Sequence, residues 1–236
     1  MAKNLKQYKK SVFFTGAGMS AESGVPTYRG RGGIWHEYKW ENYACQTAFI
    51  RNPDLVMDFH EISRIEALKC EPHVGHDIIS AIQKEQQNTS IVTQNIDGMH
   101  QRAGSQDVIE LHGSLWRMRC DKEGKIFEDL EEGNYTNKKC SCGEWLRPDI
   151  IWFEDPLNES TILQATEVIS QCDLFISIGT SGVVWPAAGF QQLAKKGGAH
   201  CIEINPEKTE LSYLFDEVYR EPAGQVLPKL FDFSKA

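Results

Sequence analysis

Residues 11–21 read Ser11-Val-Phe-Phe-Thr-Gly-Ala-Gly-Met-Ser-Ala21. The run Ser11–Thr15 is short, apolar and rich in β-branched and aromatic residues, which predicts a buried strand. Residues 16–21 then match the pattern G-x-G-x-x-A, whose glycines allow a tight turn and a close backbone approach to a diphosphate at a helix start. The pattern alone also fits a plain glycine turn between a strand and a helix.

The same alternation of strand and helix patterns continues along the chain. Four further apolar runs bounded by turn or polar residues predict strands, at 90–94, 108–111, 174–179 and 200–205. Three segments with helical spacing of apolar residues or with helix-end signals predict helices, at 73–87, 161–171 and 186–196. Strands that alternate with helices predict an α/β fold, a Rossmann-type doubly wound parallel sheet covered on both faces.

Two segments interrupt this alternation and predict a smaller lobe made from two insertions. Residues 29–70 carry helical patterns without a strand, and residues 117–149 are polar and contain three clustered cysteines. We therefore assign 1–28, 71–116 and 150–236 to the Rossmann-type domain. The helical module 29–70 and the zinc-ribbon-like module 117–149 would form the second lobe. Ligands of such sheets bind at the carboxyl ends of the strands, where this lobe would form a wall.

The composition narrows the classes of function. The chain has 236 residues, 41% of them hydrophobic, which is too many for a disordered chain. It carries 25 basic and 33 acidic residues, a net charge of −8, which argues against nucleic-acid or anionic-membrane partners. No apolar run approaches the ~20 residues of a membrane span, and the first residues lack a signal-peptide core. We therefore expect a soluble, cytoplasmic protein.

Longer motifs point to one family. Three of them follow one another in the chain: Gly16-Ala-Gly-Met-Ser-Ala-Glu-Ser-Gly-Val-Pro-Thr-Tyr-Arg29 with Gly32-Gly-Ile-Trp35, then Thr93-Gln-Asn-Ile-Asp-Gly-Met-His100, then Glu110-Leu-His-Gly-Ser114. Together they resemble the signatures of the sirtuins, the NAD-dependent protein deacylases of the Sir2 family. The run 24–35 and Gly182-Val-Val-Trp-Pro-Ala-Ala188 look most like the class III, CobB-type bacterial sirtuins.

The resemblance implies that NAD is a consumed cosubstrate and that acylated-lysine proteins or peptides are the partners; it leaves the oligomeric state open. Tyr28 stands where the family usually has Phe, shielding the reactive ribose face, and Arg29 would pair with phosphate or order the loop. The residues expected to contact NAD are Gly16, Ala17, Gly18, Ser20, Tyr28, Arg29, Trp35, Gln94, Asn95, Ile96, Asp97, Gly179, Thr180, Ser181, Asn205, Pro206, Glu207 and Ala223.

The chemistry of acyl transfer to a ribose hydroxyl needs a base that is neutral near pH 7, and histidine suits that task. By the resemblance, His112 is this base and Asn95 orients water or ribose hydroxyls. Asp97 would hold the leaving carboxamide, which offers both a donor and an acceptor. Without the motif, His112 also fits a hydrogen-bonded structural residue, and Asp97 fits a polar cap between strand and helix.

The expected substrate-binding residues are His60, Ser63, Ile151, Trp152, Phe153, Gly182 and Val183. The segments 151–153 and 182–185 resemble two strands between which sirtuins bind an extended peptide by β-augmentation. Glu154 and Asp155 would either favour basic residues near the acyl-lysine or be solvated.

His60 and Ser63 align with a Tyr-x-x-Arg pair associated with the removal of succinyl and malonyl groups. Ser63 carries no charge, so the guanidinium–carboxylate contact is lost and we expect deacetylation to be preferred over desuccinylation. Arg31, Arg64 or a cationic His60 at lower pH could replace the missing charge.

The cysteine module departs from the family pattern. Sirtuins commonly bind a structural zinc through two Cys pairs, but here only Cys120, Cys140 and Cys142 are available. A closed tetrahedral site needs four ligands. Asp121, Glu123 or another group could complete the site; otherwise the set is incomplete. We expect a metal-free hairpin, with well below one zinc per chain.

Two other functions compete with deacylation. The same cleavage of NAD could end on water or another nucleophile, giving an NAD hydrolase or an ADP-ribosyltransferase. A non-catalytic NAD- or ADP-ribose-binding module is also compatible with the glycine motif, but it would not require His112 and Asn95 together.

Overall fold

The computed structural model describes residues 3–28, 33–130 and 133–231. Within these residues the strands are β1 (Ser11–Thr15), β2 (Thr89–Thr93), β3 (Ile109–Glu110), β4 (Gly113–Cys120), β5 (Lys125–Glu128), β6 (Arg147–Ile150), β7 (Leu174–Ile178), β8 (His200–Ile204) and β9 (Glu217–Tyr219). The helices are α1 (Ala17–Ala21), α2 (Trp40–Tyr43), α3 (Gln46–Arg51), α4 (Pro53–Leu68), α5 (Val74–Glu85), α6 (Met99–Arg102), α7 (Glu159–Ser170), α8 (Ala187–Lys196) and α9 (Ala223–Leu230).

Six strands form a parallel sheet in the order β3-β2-β1-β7-β8-β9. The central strand β1 is buried on both faces. Phe13 belongs to an apolar cluster with side chains of α5 and α9, and Phe14 to a second cluster with side chains of α7 and α8. This arrangement confirms the predicted Rossmann-type α/β fold. It also brings the carboxyl ends of β1, β2 and β7 to one edge, because Thr15 pairs with Thr93 and Ile178.

The predicted strands and helices of this domain occur in the structure with ends displaced by one or two residues. The strand predicted at 174–179 ends one residue earlier, because Gly179 has a φ of +61° and leaves the extended conformation. The helix predicted at 73–87 begins at Val74, because His73 caps it by accepting a hydrogen bond from the Gly75 N–H at Nδ1 (3.0 Å).

The second sheet was predicted only as a hairpin in the cysteine module, without limits for its strands. Strands β5, β4 and β6 pair antiparallel in that order, inside and around a segment whose polar sequence gives few strand signals. All four residues of β5 are exposed, so no alternation of apolar and polar residues marks this strand. Pro148 lies within β6, where a proline argues against a strand. The domain limits given above remain a prediction; β4 begins at Gly113 and β6 ends at Ile150.

A buried arginine joins the helical insertion to the second sheet. Arg64 on α4 is fully buried; it donates to the carbonyl of Leu115 (3.0 Å) and pairs with the carboxylate of Asp129 (2.8 Å). Its guanidinium also lies over the rings of Trp116 and Tyr135, at 4.9 and 4.4 Å from their centroids. A buried charge needs such partners, so removal of any one of them leaves a costly unpaired group.

None of the helices formed by the described residues combines the length and apolar character needed to cross a membrane.

Candidate active site

A cavity of about 1110 Å³ opens at the carboxyl edge of the large sheet and extends toward the small sheet. It lies where the predicted fold places ligands. Most of the residues expected to contact NAD line it together: Gly16, Ala17, Gly18, Tyr28, Gln94, Asn95, Ile96, Gly179, Thr180, Ser181, Asn205, Pro206, Glu207 and Ala223.

Two glycine turns meet at this edge and form the floor of the cavity. The N–H of Gly18 donates to the carbonyl of Gly179 (3.0 Å). A Cβ on Gly18 would lie 2.7 Å from Gly179 Cα, and a Cβ on Gly179 would lie 2.4 Å from Met19 N. Neither position therefore accepts a side chain, and the backbone itself is exposed to a ligand. The predicted glycine motif is therefore more than a turn between a strand and a helix: its glycines allow two loops to approach each other closely.

Asn95 is held in one orientation at the end of β2. Its Nδ2 donates to the carbonyl of Gly16 (3.0 Å) and to Oγ of Ser20 (3.1 Å), which directs Oδ1 away from both. Asn95 lines the cavity. Ser20 is buried and is not among the described lining residues, so the structure places it as a support for Asn95.

Asp97 lies beneath the cavity and is not among the described lining residues. Burial raises the pKa of its carboxyl group, and a hydrogen bond from the Met99 N–H (3.0 Å) opposes that rise. This bond agrees with the alternative considered in the sequence analysis, in which Asp97 is a polar cap between the strand and the helix. Its role toward a carboxamide stays a prediction.

His112 enters the cavity from the short connection between β3 and β4. Its Nδ1 lies 2.9 Å from the carbonyl of Gln94, so in the neutral ring Nδ1 carries the proton and Nε2 has the lone pair. The carbonyl of His112 accepts from the Ile151 N–H (2.9 Å), which ties this residue to the end of β6.

Tyr28 lines the cavity and is half-buried. Burial, followed by the nearby charge of Asp97, raises the pKa of its hydroxyl, so Tyr28 remains a neutral phenol. Arg29 and Arg31 lie outside the described residues, as does the side chain of Trp35.

His60 lines the cavity near its apolar wall, on the first half of α4. Its Nε2 accepts from the indole Nε1–H of Trp152 (3.0 Å), and the two rings are stacked. Burial, with a smaller effect from the charge of Arg147, lowers the pKa of His60 to about 3. His60 is therefore neutral at physiological pH.

Ser63 is not among the described residues that line the cavity. Its Oγ donates to the Phe59 carbonyl of the preceding helical turn (3.1 Å). Arg64 is held by Leu115 and Asp129, as described above, so neither residue presents a charge to the cavity.

Ile151, Trp152, Phe153 and Val183 line the cavity as predicted, and Gly182 is not among the described lining residues. Phe153 and Val183 are exposed at its mouth.

Two acidic residues beside the predicted peptide segments take part in internal contacts. Glu154 accepts from the N–H of Thr47 (2.9 Å), and Asp155 pairs with Arg147.

Several lining residues were not predicted. Ala44 and Phe59 line the cavity from the helical insertion, and Glu22 and Lys208 from loops beside the glycine turns. Phe59 directly precedes the predicted site residue His60, and its place in a helical pattern was the only sign that it could lie near the site. The small apolar side chain of Ala44 gives no sign in the sequence that it lines a cavity.

A second group of side chains lies in the cysteine module. One ligand atom from each of Cys120, Glu123, Cys140 and Cys142 lies within 4.8 Å of all the others. Tetrahedral zinc with Zn–S bonds of about 2.3 Å and Zn–O bonds of about 2.0 Å has S···S edges of about 3.8 Å and S···O edges of about 3.5 Å. The Sγ atoms of Cys120 and Cys142 lie 3.7 Å apart, and Cys140 Sγ lies 3.5 Å from Glu123 Oε2. Both distances match tetrahedral edges, so these four residues could hold such an ion, with Glu123 in the position that the sequence left open between Asp121, Glu123 and another group.

Comparison with known proteins agrees with this geometry. Residues 16–186 match the Sir2 family model. An NAD-dependent protein deacylase from Aquifex aeolicus is 42% identical over 229 residues, covering 94% of each chain. A solved complex of a Sir2 homolog with NAD has a TM-score of 0.89 at 36% identity, covering 97% of this chain and 90% of that one. A Sir2 structure with a deacetylated p53 peptide and 3′-O-acetyl-ADP-ribose has a TM-score of 0.85 at 26% identity, covering 97% and 95%.

These matches cover more than half of the chain, and the chain belongs to the Sir2 family. It is an NAD-dependent protein deacylase, which confirms the family and the enzyme class predicted from the motifs.

The contact between the two glycine turns can be tested by Gly179→Ala. We expect NAD affinity to fall at least about tenfold, because the new methyl group must displace the turn that contains Gly18. Isothermal titration with NAD measures the effect. Gly198→Ala is the matched control, since Gly198 also has a positive φ (+85°) but a Cβ there meets nothing within 4 Å. Equal NAD affinities in the two variants would contradict the close approach as the cause.

Proposed function

We propose that this chain removes acetyl groups from protein lysines in preference to succinyl groups, with nicotinamide and O-acyl-ADP-ribose as products. One observation carries the proposal: a single cavity contains the glycine turns, His112 with its proton on Nδ1, and an acyl-side wall whose histidine is neutral. The first two features suit NAD cleavage and acyl transfer, and the third selects the acyl group.

His112 is the proposed general base. With Nδ1–H donated to the Gln94 carbonyl, Nε2 is the atom that takes a proton from a ribose hydroxyl. Asn95 Oδ1 would accept a hydrogen bond from water or a ribose hydroxyl, since Nδ2 is already engaged. Gln94 would contact the nicotinamide ribose, and Asp97 would hold the carboxamide. The bound NAD supplies the electrophilic ribose carbon.

The acylated peptide would bind between the segments 151–153 and 182–185, whose backbone is at the mouth of the cavity. Phe153 and Val183 offer apolar surface there. The net charge of −8 favours a basic peptide overall. Asp155 supplies little of this preference, because it pairs with Arg147. Glu154 is exposed and, among the described residues, contacts only neutral donors of Thr47, so its charge adds to the preference.

The preference for acetyl follows from the charges near the acyl side of the cavity. A buried carboxylate requires a cation or several donors. His60 is neutral, Ser63 bonds to its own helix, and Arg64 is bound to Asp129. Among the described residues of this wall, a succinyl carboxylate would therefore lose its hydration without gaining a charged partner.

We also propose that Cys120, Glu123, Cys140 and Cys142 bind one structural zinc ion. The match of the two edges to tetrahedral geometry supports this. The ion would brace the small sheet, since Cys120 ends β4 and the other two cysteines precede β6. It would take no part in the chemistry on NAD.

The base is tested by His112→Ala. We expect NAD binding to be retained while deacetylation falls by about two to four orders of magnitude, because a general base contributes that much. Turnover of an acetyl-lysine peptide and titration with NAD measure the two effects. Retention of more than about a tenth of the wild-type turnover would remove His112 from the mechanism. Rapid nicotinamide release by the wild type without peptide would instead favour an NAD hydrolase.

The acyl preference is tested by comparing kcat/KM for acetyl- and succinyl-lysine forms of one peptide. We expect acetyl to be favoured at least about tenfold at pH 8, because a carboxylate finds no cation at this wall. The ratio should remain the same at pH 6.5, because the pKa of His60, about 3, lies well below both pH values. Comparable values for the two peptides would contradict the proposal. Selective loss of succinyl activity in Arg31→Ala would then identify the replacement cation.

The metal site is tested by elemental analysis of protein purified without chelator. We expect about one zinc per chain. This is more than the sequence analysis predicts from the three thiols alone, which is well below one zinc per chain. Chelation should lower the melting temperature, because a structural ion contributes to folding. Glu123→Ala should reduce zinc content, whereas Asp121→Ala, a neighbouring acid outside the four-ligand group, should not. Absence of zinc from the wild type would show that the module is metal-free.

A further inference from the structure

A chain of hydrogen bonds runs beneath the cavity without reaching its surface. The N–H of Asn95 donates to Oγ1 of Thr93 (3.0 Å), and Oγ1 of Thr15 donates to the same oxygen (2.8 Å). Oγ1 of Thr15 also lies 2.9 Å from Nε2 of His100. Thr15, Thr93 and His100 are at most 2% exposed, and none is among the described lining residues. They therefore cannot act by touching NAD or the peptide.

The direction of these bonds is set by the bond between the two threonines, in which Thr15 donates and Thr93 accepts. Thr93 Oγ1 accepts two bonds, one of them from the single hydroxyl proton of Thr15. Thr15 must then accept from His100, whose Nε2 therefore carries the ring proton. Burial, with a smaller contribution from His73, lowers the pKa of His100 to about 4, which keeps this ring neutral. The chain is thus polarised in one direction, from His100 through Thr15 to Thr93.

The chain of hydrogen bonds ends at the peptide group between Gln94 and Asn95, to which both proposed catalytic residues are connected. The N–H of Asn95 and the carbonyl of Gln94 belong to one planar peptide group. The carbonyl end accepts from Nδ1 of His112 (2.9 Å), while the N–H end is held by Thr93 (3.0 Å). Strand β2 ends at Thr93, so this peptide group lies just past the sheet. Rotation of the group would move the acceptor that orients His112 and would also displace Asn95.

We propose that Thr15, Thr93 and His100 are positioning residues, which fix the Gln94–Asn95 peptide group and thereby orient His112 and Asn95 for reaction. The inference rests on the proposed roles of His112 and Asn95. The main contribution is to kcat, because the direction of His112 Nε2 changes while the glycine turns and the peptide segments 151–153 and 182–185, which supply most of the binding surface, stay in place.

Thr15→Val is the first test, because it replaces the hydroxyl by a methyl group of similar size. We expect kcat for deacetylation to fall about fivefold or more, with KM for NAD and for peptide changed less than about twofold. Thr15→Ser retains the hydroxyl and should restore kcat to within about twofold of the wild type. Thr89→Val is the matched control: Thr89 is also buried on β2, but its Oγ1 has no partner among the described residues.

A double substitution tests whether the residues act as one unit. Thr93→Val should lower kcat as Thr15→Val does, and the combined variant should be no slower than the worse single variant, because both break the same chain. Assays are run well below the melting temperature of each variant, so that unfolding does not reduce the active fraction.

The inference is overturned if Thr15→Val keeps kcat within about twofold of the wild type. It is also overturned if Thr15→Ser is as slow as Thr15→Val, or if Thr89→Val loses as much. Failure of the proposed function gives a different result: the wild type then shows no peptide-dependent deacetylation, or His112→Ala retains it. If His112→Ala loses deacetylation and Thr15→Val does not, only the positioning role of the buried hydrogen bonds is contradicted, and the proposed function stands.

Discussion

The close contact between the turns that follow β1 and β7 is the constraint on which the rest of the site depends. Gly18 and Gly179 approach so closely that neither accepts a Cβ, which leaves bare backbone as the cavity floor. The contact is made because parallel pairing ends both strands at the same level. Asn95 is then oriented by a bond to the carbonyl of Gly16, within the same turn. A shift of these turns would therefore move both the floor and the neighbouring polar group.

Polar groups around the cavity are arranged by a few buried hydrogen bonds. His112 and Asn95 come from different connections, yet both are attached to the Gln94–Asn95 peptide group. On the opposite wall, His60 is buried against Trp152 and loses its charge. The two histidines thus differ in their surroundings: His112 faces the cavity with the lone pair on Nε2, and His60 is a neutral part of the wall. The identity of the side chains alone does not distinguish these surroundings.

Much of the architecture could be predicted because its signals are local. The alternation of short apolar runs and helical patterns predicts the parallel sheet, and the glycine motif after β1 predicts where a ligand binds. The strands of the small sheet escaped prediction because β5 is exposed on both faces and β6 contains Pro148, so neither shows the alternation of a half-buried strand. The choice of a fourth ligand for the proposed metal site could not be made either: the sequence leaves Asp121, Glu123 or another group open, and only the fold places Glu123 Oε2 3.5 Å from the Sγ of Cys140, 17 residues away.

The sequence by itself determined the fold class, the family and the chemical types present at the strand ends, because periodicity, glycine positions and motif order are properties of contiguous residues. Only the tertiary structure decided which side chains are charged, oriented or available. Arg64 follows Ser63 directly, but packing buries it against Asp129, away from the cavity. Thr15 and Thr93 are 78 residues apart, and strand pairing alone places their hydroxyls 2.8 Å from each other. Such outcomes depend on burial and on long-range pairing, neither of which a linear pattern contains.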